Sequence, residues 1–168
     1  MGDTDLIYRK KFDAAVDETE RHLSRIETAY AEIEKSFKFP ILPGDFSRLM
    51  GDTTLIAFAD QIIYRFSKAQ DCMGSKLFKA FLLYQGENID RPFLDILHSL
   101  EKIAVLDVDQ WFELREIRNE IAHDYENDED AGREIVNSIF SHKDELRRIV
   151  QSLRRQEGPR AESSATAP

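Results

Sequence analysis

The chain has 168 residues, of which 42% are hydrophobic and 33% are charged, so its length suits one domain with one core. Its formal net charge of −9 argues against a general polyanion binder, because counterion release needs many cations that face the phosphates. The single cysteine, Cys72, cannot form an internal disulfide, and no apolar run approaches the roughly 18 residues that a membrane span needs.

Apolar periodicity predicts five helical segments in chain order. The first runs from about residue 5 to residue 37 and carries one seam at alternating steps of four and three: Phe12, Val16, Thr19, Leu23, Ile26, Tyr30, Ile33 and Phe37. The prolines of "KFPILPGD" interrupt the pattern. Asp52 is predicted to cap a second long helix that stops at Gly86. Its stripe consists of Leu55, Ala59, Ile62, Phe66, Ala69, Met73, Leu77, Phe81 and Tyr84.

The remaining three segments are shorter or more polar. Pro92 marks the start of a third helix with a buried face of Phe93, Ile96, Leu97, Leu100 and Ile103. Asp107 followed by Gln110 resembles a capping box and predicts the start of the fourth helix. A fifth helix, from about residue 129 to residue 156, should bury Ile135, Ile139, Leu146, Ile149, Val150 and Leu153.

Long helices with short connections bury their stripes most simply as a bundle. We therefore expect an all-α fold, an antiparallel up-and-down bundle of four to five helices in one domain over residues 1–156. The polar, Pro-containing tail 157–168 is expected to be disordered. Nothing at the N-terminus combines a basic start with an apolar stretch of signal-peptide length, which predicts a cytoplasmic protein.

The fourth helix carries the most informative polar residues, in the stretch "RNEIAHDY" at 118–125. Leu114, Ile117, Ile121 and Tyr125 share its core face, with Trp111 at the margin. Arg115, Asn119 and His123 form a second strip, and Arg118 lies between the two. Arg118 and His123 are five residues apart, about 140° around a straight helix. Their cooperation would require either a distorted helix end or a second subunit.

An arginine and a histidine together predict a limited chemistry. A histidine near its usual pKa of about 6.5 can accept the proton of a ribose 2′-hydroxyl, and an arginine can hold the charge that grows on the phosphate. This chemistry is metal-independent RNA cleavage. The alternative is structural: Arg118 pairs with Glu113 or Asp124, and His123 is a helix-terminal histidine that the helix dipole favours.

The sequence "LREIRNEIAHDYENDEDAGREIV" resembles the motif helix of the HEPN superfamily, in particular the toxins of HEPN/MNT (type VII) toxin–antitoxin pairs. Arg118, Asn119, His123 and Tyr125 match the family motif without a gap. The upstream "FADQIIYRFSKAQDCMGSKL" is similar to the family's second helix, so the resemblance covers roughly residues 50 to 155.

The resemblance implies a ribonuclease that acts as a homodimer. Arg118 and His123 of both chains would form a composite catalytic site, with Asn119 assisting. It also implies a partner, a minimal nucleotidyltransferase (MNT) antitoxin, which would neutralise the toxin by attaching AMP to Tyr125. Some relatives lack RNase activity, so a catalytically inactive subunit that binds the nucleotidyltransferase or a substrate is the alternative, beside a helical dimerisation module.

Two charged segments bear on RNA binding. Glu126, Asp128, Glu129 and Asp130 form an acidic run after the motif that would repel a phosphate backbone. One face of the last helix carries five cations that could hold phosphates or form a solvated face: Lys143, Arg147, Arg148, Arg154 and Arg155. Arg115 is a further candidate for RNA binding.

The other residues with chemical potential are expected to be structural. His22, His98 and His142 lie on separate segments without ligand-spaced partners, so we predict no metal and no cofactor. Cys72, beside Met73 in the second helix, is predicted to be a core or boundary residue.

Overall fold

The computed structural model of the protein describes residues 2–156, apart from the side chains of residues 123 and 124. Over this range the chain is helical and contains no strand, which confirms the prediction of an all-α bundle. The helices are α1 (Asp3–Glu34), α2 (Pro43–Met50), α3 (Thr53–Cys72), α4 (Phe78–Tyr84), α5 (Phe93–Lys102), α6 (Val108–Asp124) and α7 (Glu129–Gln156). None of the described helices is both long and apolar enough to cross a membrane. The predicted disordered tail lies outside the described residues.

The first helix, α1, contributes a long row of buried residues to the core of the bundle. All eight residues of its predicted seam are buried, although α1 ends at Glu34 and Phe37 lies in the connection that follows. The buried Tyr30 hydroxyl donates a hydrogen bond to the carbonyl of Val136 at 2.8 Å, so α1 is fixed to α7 by a satisfied polar contact inside the core. Pairs such as Glu20 with Arg154 show that α1 and α7 run antiparallel.

The predicted second helix is one continuous helical rod made of α3, a π turn at Met73–Leu77, and α4. Between Ala69 and Phe81 the apolar stripe advances by four residues three times in succession. Because a regular α-helix has 3.6 residues per turn, such a stripe would move gradually around the helix and away from the core. The π turn adds a residue to the turn and keeps this stripe buried. As predicted, the Asp52 side chain caps the rod, and Gly86 ends it in the left-handed conformation at φ 79°.

Beside this π turn, two features of the fold were not predicted. The segment after Pro40 contains the short helix α2, which begins at Pro43 and buries Phe46 and Leu49. Ile103, assigned from the sequence to the buried face of the third helix, is 38% exposed. It follows the end of α5, where the next residue, Ala104, adopts φ 58° and turns the chain away.

Candidate active site on helix α6

The helix α6 is regular from its first residue to its last. The Asp107 carboxylate accepts the backbone N–H of Gln110 at 2.9 Å, which confirms the predicted start. Trp111, Leu114 and Ile117 are buried, as the predicted core face requires. The backbone is α-helical through Asp124, without a π turn or a break. The offset of about 140° between positions 118 and 123 therefore holds in the folded chain.

Arg118 is held by a carboxylate from another helix. Its Nε and Nη2 atoms both lie 3.0 Å from Oδ1 of Asp71, which is on α3. Of the two partners predicted in the structural alternative, Glu113 forms no ion pair with Arg118, and the side chain of Asp124 lies outside the described residues. The observed partner, Asp71, is 47 positions away in the sequence. Because the contact uses only one edge of the guanidinium, the other edge remains available to a phosphate.

Tyr125 is held in the same way by α3. It caps the C-terminal end of α6, and its half-buried hydroxyl donates a hydrogen bond to Oδ1 of Asp60 at 3.1 Å. Burial, followed by the nearby Asp60 carboxylate, raises the pKa of Tyr125 well above its usual range. The hydroxyl is consequently neutral at physiological pH, and its proton points to a carboxylate that can accept it.

These two contacts fix the relative direction of the helices. Asp60, early in α3, meets Tyr125 at the end of α6, whereas Asp71, late in α3, meets Arg118 further back. The two helices are therefore antiparallel. Their packing is close beyond the end of α3, since a Cβ atom added at Gly74 in the π turn would lie 3.7 Å from the Trp111 ring of α6. Asp60 and Asp71 lie eleven residues apart, about three turns, so both project toward α6.

The other predicted site residues occupy the outer side of α6. Asn119 is half-buried and Arg115 is exposed, and Arg115 has no carboxylate partner among the described residues. Position 123 follows Asn119 on the same strip by helical spacing. The side chain of His123 lies outside the described residues, so the structure brings Arg118 and Tyr125 to α3 but does not test the predicted histidine.

The acidic run after the motif has structural contacts. Oδ1 of Asp128 accepts the N–H of Asp130 at 2.9 Å and that of Ala131 at 3.3 Å, so Asp128 caps α7. Glu129 accepts a hydrogen bond from the Ser47 hydroxyl of α2. These carboxylates hold the corner between α6 and α7, and they also keep that edge of the site negative.

The five cations predicted on α7 do not form one free phosphate-binding strip. Four of them contact carboxylates: Lys143 with Asp144 at 3.1 Å, Arg147 with Glu27 at 2.7 Å, Arg148 with Glu145 at 2.6 Å and Arg154 with Glu20 at 2.9 Å. Arg147 and Arg154 point to α1, whereas Arg148 also reaches the Val105 carbonyl at 3.4 Å on another side. Arg155 donates to the Ser152 hydroxyl at 3.0 Å. Most of the positive charge on this helix is thus neutralised internally.

The remaining candidates have structural environments. Cys72 is buried beside Thr19, and burial raises the pKa of its thiol, which disfavours the thiolate that a nucleophile needs. His98 and His142 each lie near a single glutamate, at 3.7 Å and 4.0 Å. Within residues 2–156, no three His, Cys, Asp or Glu side chains with described positions are grouped closely enough to hold a metal ion.

Sequence reasoning missed the two residues that organise this site, Asp60 and Asp71. Their only signal is a shared helical face, which becomes meaningful once α6 is known to lie against it. Comparison of the chain with models of protein families, with curated proteins and with solved structures finds no match. The resemblance to the HEPN superfamily therefore remains a prediction that rests on the motif helix and on the upstream segment that is similar to the family's second helix.

Proposed function

We propose that the protein is a metal-independent endoribonuclease toxin of a toxin–antitoxin pair. The observation that carries the proposal is the contact between Arg118 and Asp71, which presents a guanidinium with one edge free at the side of a regular helix. An arginine of the motif that served only the core would be buried, whereas the Arg118 side chain is 33% exposed.

The proposed reaction needs no group beyond the chain, the RNA and water. His123 accepts the proton of a ribose 2′-hydroxyl, and the 2′-oxygen attacks the adjacent phosphorus. The P–O5′ bond breaks as the P–O2′ bond forms, and the leaving 5′-oxygen takes a proton from water. Arg118 binds the charged phosphate oxygens and Asn119 assists. The products are a 2′,3′-cyclic phosphate and a 5′-hydroxyl.

The shape of α6 supports the proposal of a homodimer. Because the helix is regular to Asp124, Arg118 and His123 diverge within one chain, and a twofold partner offers the simplest way to bring such residues together. The outer strip of α6 also carries Phe112, which is 43% exposed, in line with Asn119. An apolar ring on an otherwise polar strip supports the packing of two α6 helices against one another.

The contact between Tyr125 and Asp60 supports regulation by AMP transfer. We infer that a partner nucleotidyltransferase directs the Tyr125 oxygen at the α-phosphorus of ATP, with Asp60 accepting the phenolic proton and pyrophosphate leaving. A neutral tyrosine of raised pKa is a poor nucleophile, and the carboxylate 3.1 Å away supplies the base that it needs. The attached phosphate would add negative charge near Arg118 and repel RNA.

Cleavage of labelled single-stranded RNA in the presence of EDTA tests the proposal. We expect products with 2′,3′-cyclic phosphates, and loss of cleavage in Arg118→Ala and in His123→Ala. A mixture of these two inactive variants should recover about a quarter of the activity, because half of the dimers are mixed and each restores one of two Arg–His pairs. Activity that EDTA abolishes, or mixed dimers without recovery, would contradict the mechanism.

The neutralised cations of α7 favour one alternative, a catalytically inactive subunit that binds the nucleotidyltransferase. Such a subunit has less need of a long phosphate-binding surface, and the chain is acidic overall. The same assay separates the two functions, since an inactive subunit would take up AMP on Tyr125 but leave RNA intact. Tyr125→Phe should abolish AMP uptake in both cases and should leave an active toxin insensitive to its partner.

A further inference from the structure

An exposed tyrosine surrounded by cations lies on α3, beside the site. The Tyr64 side chain is 54% exposed. The guanidinium carbon of Arg65 lies 5.5 Å from its ring centroid, and Nζ of Lys68 lies 5.7 Å from it. Each distance is within the range of a cation–π contact. Such a ring has a free surface, and the residues beside it are positively charged.

The neighbouring face of α1 adds further positive charge to this surface. Nη1 of Arg65 lies 3.1 Å from Nδ1 of His22, which joins α3 to α1. Burial is the main cause that lowers the pKa of His22. The charges of Arg65, Arg21 and Lys68 lower it further and that of Glu18 raises it, so three cations and one carboxylate lie near the imidazole. Arg25 follows Arg21 by one helical turn. We call Tyr64, Arg65, Lys68, Arg21 and Arg25 the α1/α3 patch.

The cations of this patch differ from those of α7 in one respect. Among the described residues, Arg21, Arg25, Arg65 and Lys68 have no carboxylate within ion-pair distance, whereas four of the five α7 cations do. In a chain with a net charge of −9, two unpaired cations beside an exposed aromatic ring, with two more on the neighbouring face of α1, form a local site for an anion. The surface combines charge with a stacking face, as single-stranded nucleic acid sites do.

The patch borders the candidate active site. Tyr64 lies four residues after Asp60 and seven before Asp71, so helical spacing places all three on one strip of α3. Asp60 holds Tyr125 and Asp71 holds Arg118. Tyr64 is therefore about 10 Å along the helix from the residue that positions Arg118, a distance at which a nucleotide near the cleaved bond can reach it.

We propose that Tyr64 stacks on a base of single-stranded RNA next to the cleaved bond, while Lys68, Arg65 and the α1 cations hold the backbone phosphates. This inference rests on the proposed function for its occupant. It assigns the substrate as unpaired rather than double-stranded RNA, because a base inside a duplex cannot offer its face to the ring.

Binding of a fluorescein-labelled, single-stranded 2′-O-methyl oligoribonucleotide tests the proposal, since this probe lacks the 2′-hydroxyl and cannot be cleaved. Stacking of one base is worth about 1–3 kcal/mol, so fluorescence anisotropy should show affinity about 5- to 150-fold weaker for Tyr64→Leu. Tyr64→Phe keeps the ring and should bind like the wild type. Tyr8→Leu, a tyrosine about 20 Å along α1 from His22, is the matched control and should not weaken binding.

The salt dependence of binding tests the cations separately. Lys68→Gln should reduce the slope of log affinity against log salt concentration by about 0.7, the value for one phosphate of a single strand. Arg154→Gln removes a cation that Glu20 already neutralises, so its slope should match the wild type. Equal affinity in Tyr64→Leu and the wild type, or an unchanged slope in Lys68→Gln, would overturn the assignment.

The two proposals fail separately. If the wild type cleaves RNA in EDTA but Tyr64→Leu binds the probe normally, the α1/α3 patch is not the RNA site and the proposed function stands. If Tyr64→Leu loses affinity but no cleavage occurs, the patch is confirmed as a binding site and the ribonuclease proposal is wrong.

Discussion

Replacement of Asp71 by alanine should separate the stability of the fold from the activity of the site. The side chains of Arg118 and Asp71 are 33% and 45% exposed, so solvent screens their ion pair and its contribution to stability is about 0.2–1 kcal/mol. For a chain of this length, that loss lowers Tm by at most about 2–4 °C. If the proposed function holds, cleavage of RNA should fall much further, by about 100-fold, because Arg118 would lose the contact that orients it toward the phosphate.

A second ion pair provides the matched control for this variant. Arg154 and Glu20 lie 2.9 Å apart, with side chains 48% and 35% exposed, but they join α1 to α7 away from the motif. Glu20→Ala should therefore cost similar stability without loss of cleavage. Asp71→Asn keeps an acceptor oxygen and should recover part of the activity. Cleavage that is unchanged or faster in Asp71→Ala would refute the reasoning. Unchanged cleavage would mean that Asp71 does not orient Arg118, and faster cleavage would mean that Asp71 competes with the phosphate for Arg118.

Three further substitutions test the fold through the free energy of unfolding in urea. Ala104 has φ 58°, a conformation that is strained for any residue with a Cβ atom, so Ala104→Gly should raise the free energy of unfolding by about 1 kcal/mol. An unchanged free energy of unfolding would show that the backbone at Ala104 is not strained. Asp128 caps α7, so Asp128→Ala should destabilise it by about 1 kcal/mol while Asp128→Asn remains near the wild type. The lowered pKa of His22 means that the unfolded chain binds more protons just below pH 6.5, so stability falls as pH falls through that window. His22→Gln should flatten this slope, and identical slopes would show that His22 does not contribute.

The long helices could be predicted because their packing repeats along the sequence. The seam of α1 alternates steps of four and three over more than six turns, and only a helix with one buried face satisfies that spacing. The second rod was equally clear, since Asp52 and Gly86 mark its ends by local chemistry. Signals of this kind require no knowledge of the partner helices.

The short elements could not be predicted because they depend on what surrounds them. The helix α2 has eight residues and buries only Phe46 and Leu49, too few to establish a period. Ile103 continues the apolar spacing of α5, but the helix ends one residue earlier and leaves the side chain exposed. In both cases the tertiary environment, and not local preference, decides the outcome.

The candidate site likewise has one part that the sequence predicts and another that depends on tertiary contacts. Its residues on α6 follow from a local motif, and Tyr125, predicted on the core face, is partly buried against the core. The α3 carboxylates contribute through contacts between residues 47 and 65 positions apart, which no local pattern encodes. The α7 cations show the converse error. Five charges on one helix suggested a binding surface, but carboxylates of α1 and of α7 itself neutralise four of them.

The geometry of the two helices explains why the site uses long side chains. Arg118 and Tyr125 are seven residues apart, about 10 Å along α6, whereas their partners Asp71 and Asp60 are eleven residues apart, about 16 Å along α3. The side chains must span the remaining distance, and both arginine and tyrosine carry a hydrogen-bond donor far from the backbone. A lysine at position 118 has the reach but offers a single point of charge, which cannot place two donors on one carboxylate oxygen and leave a second edge for a phosphate. The motif arginine is thus matched to α3 and, in the proposed function, to the RNA phosphate.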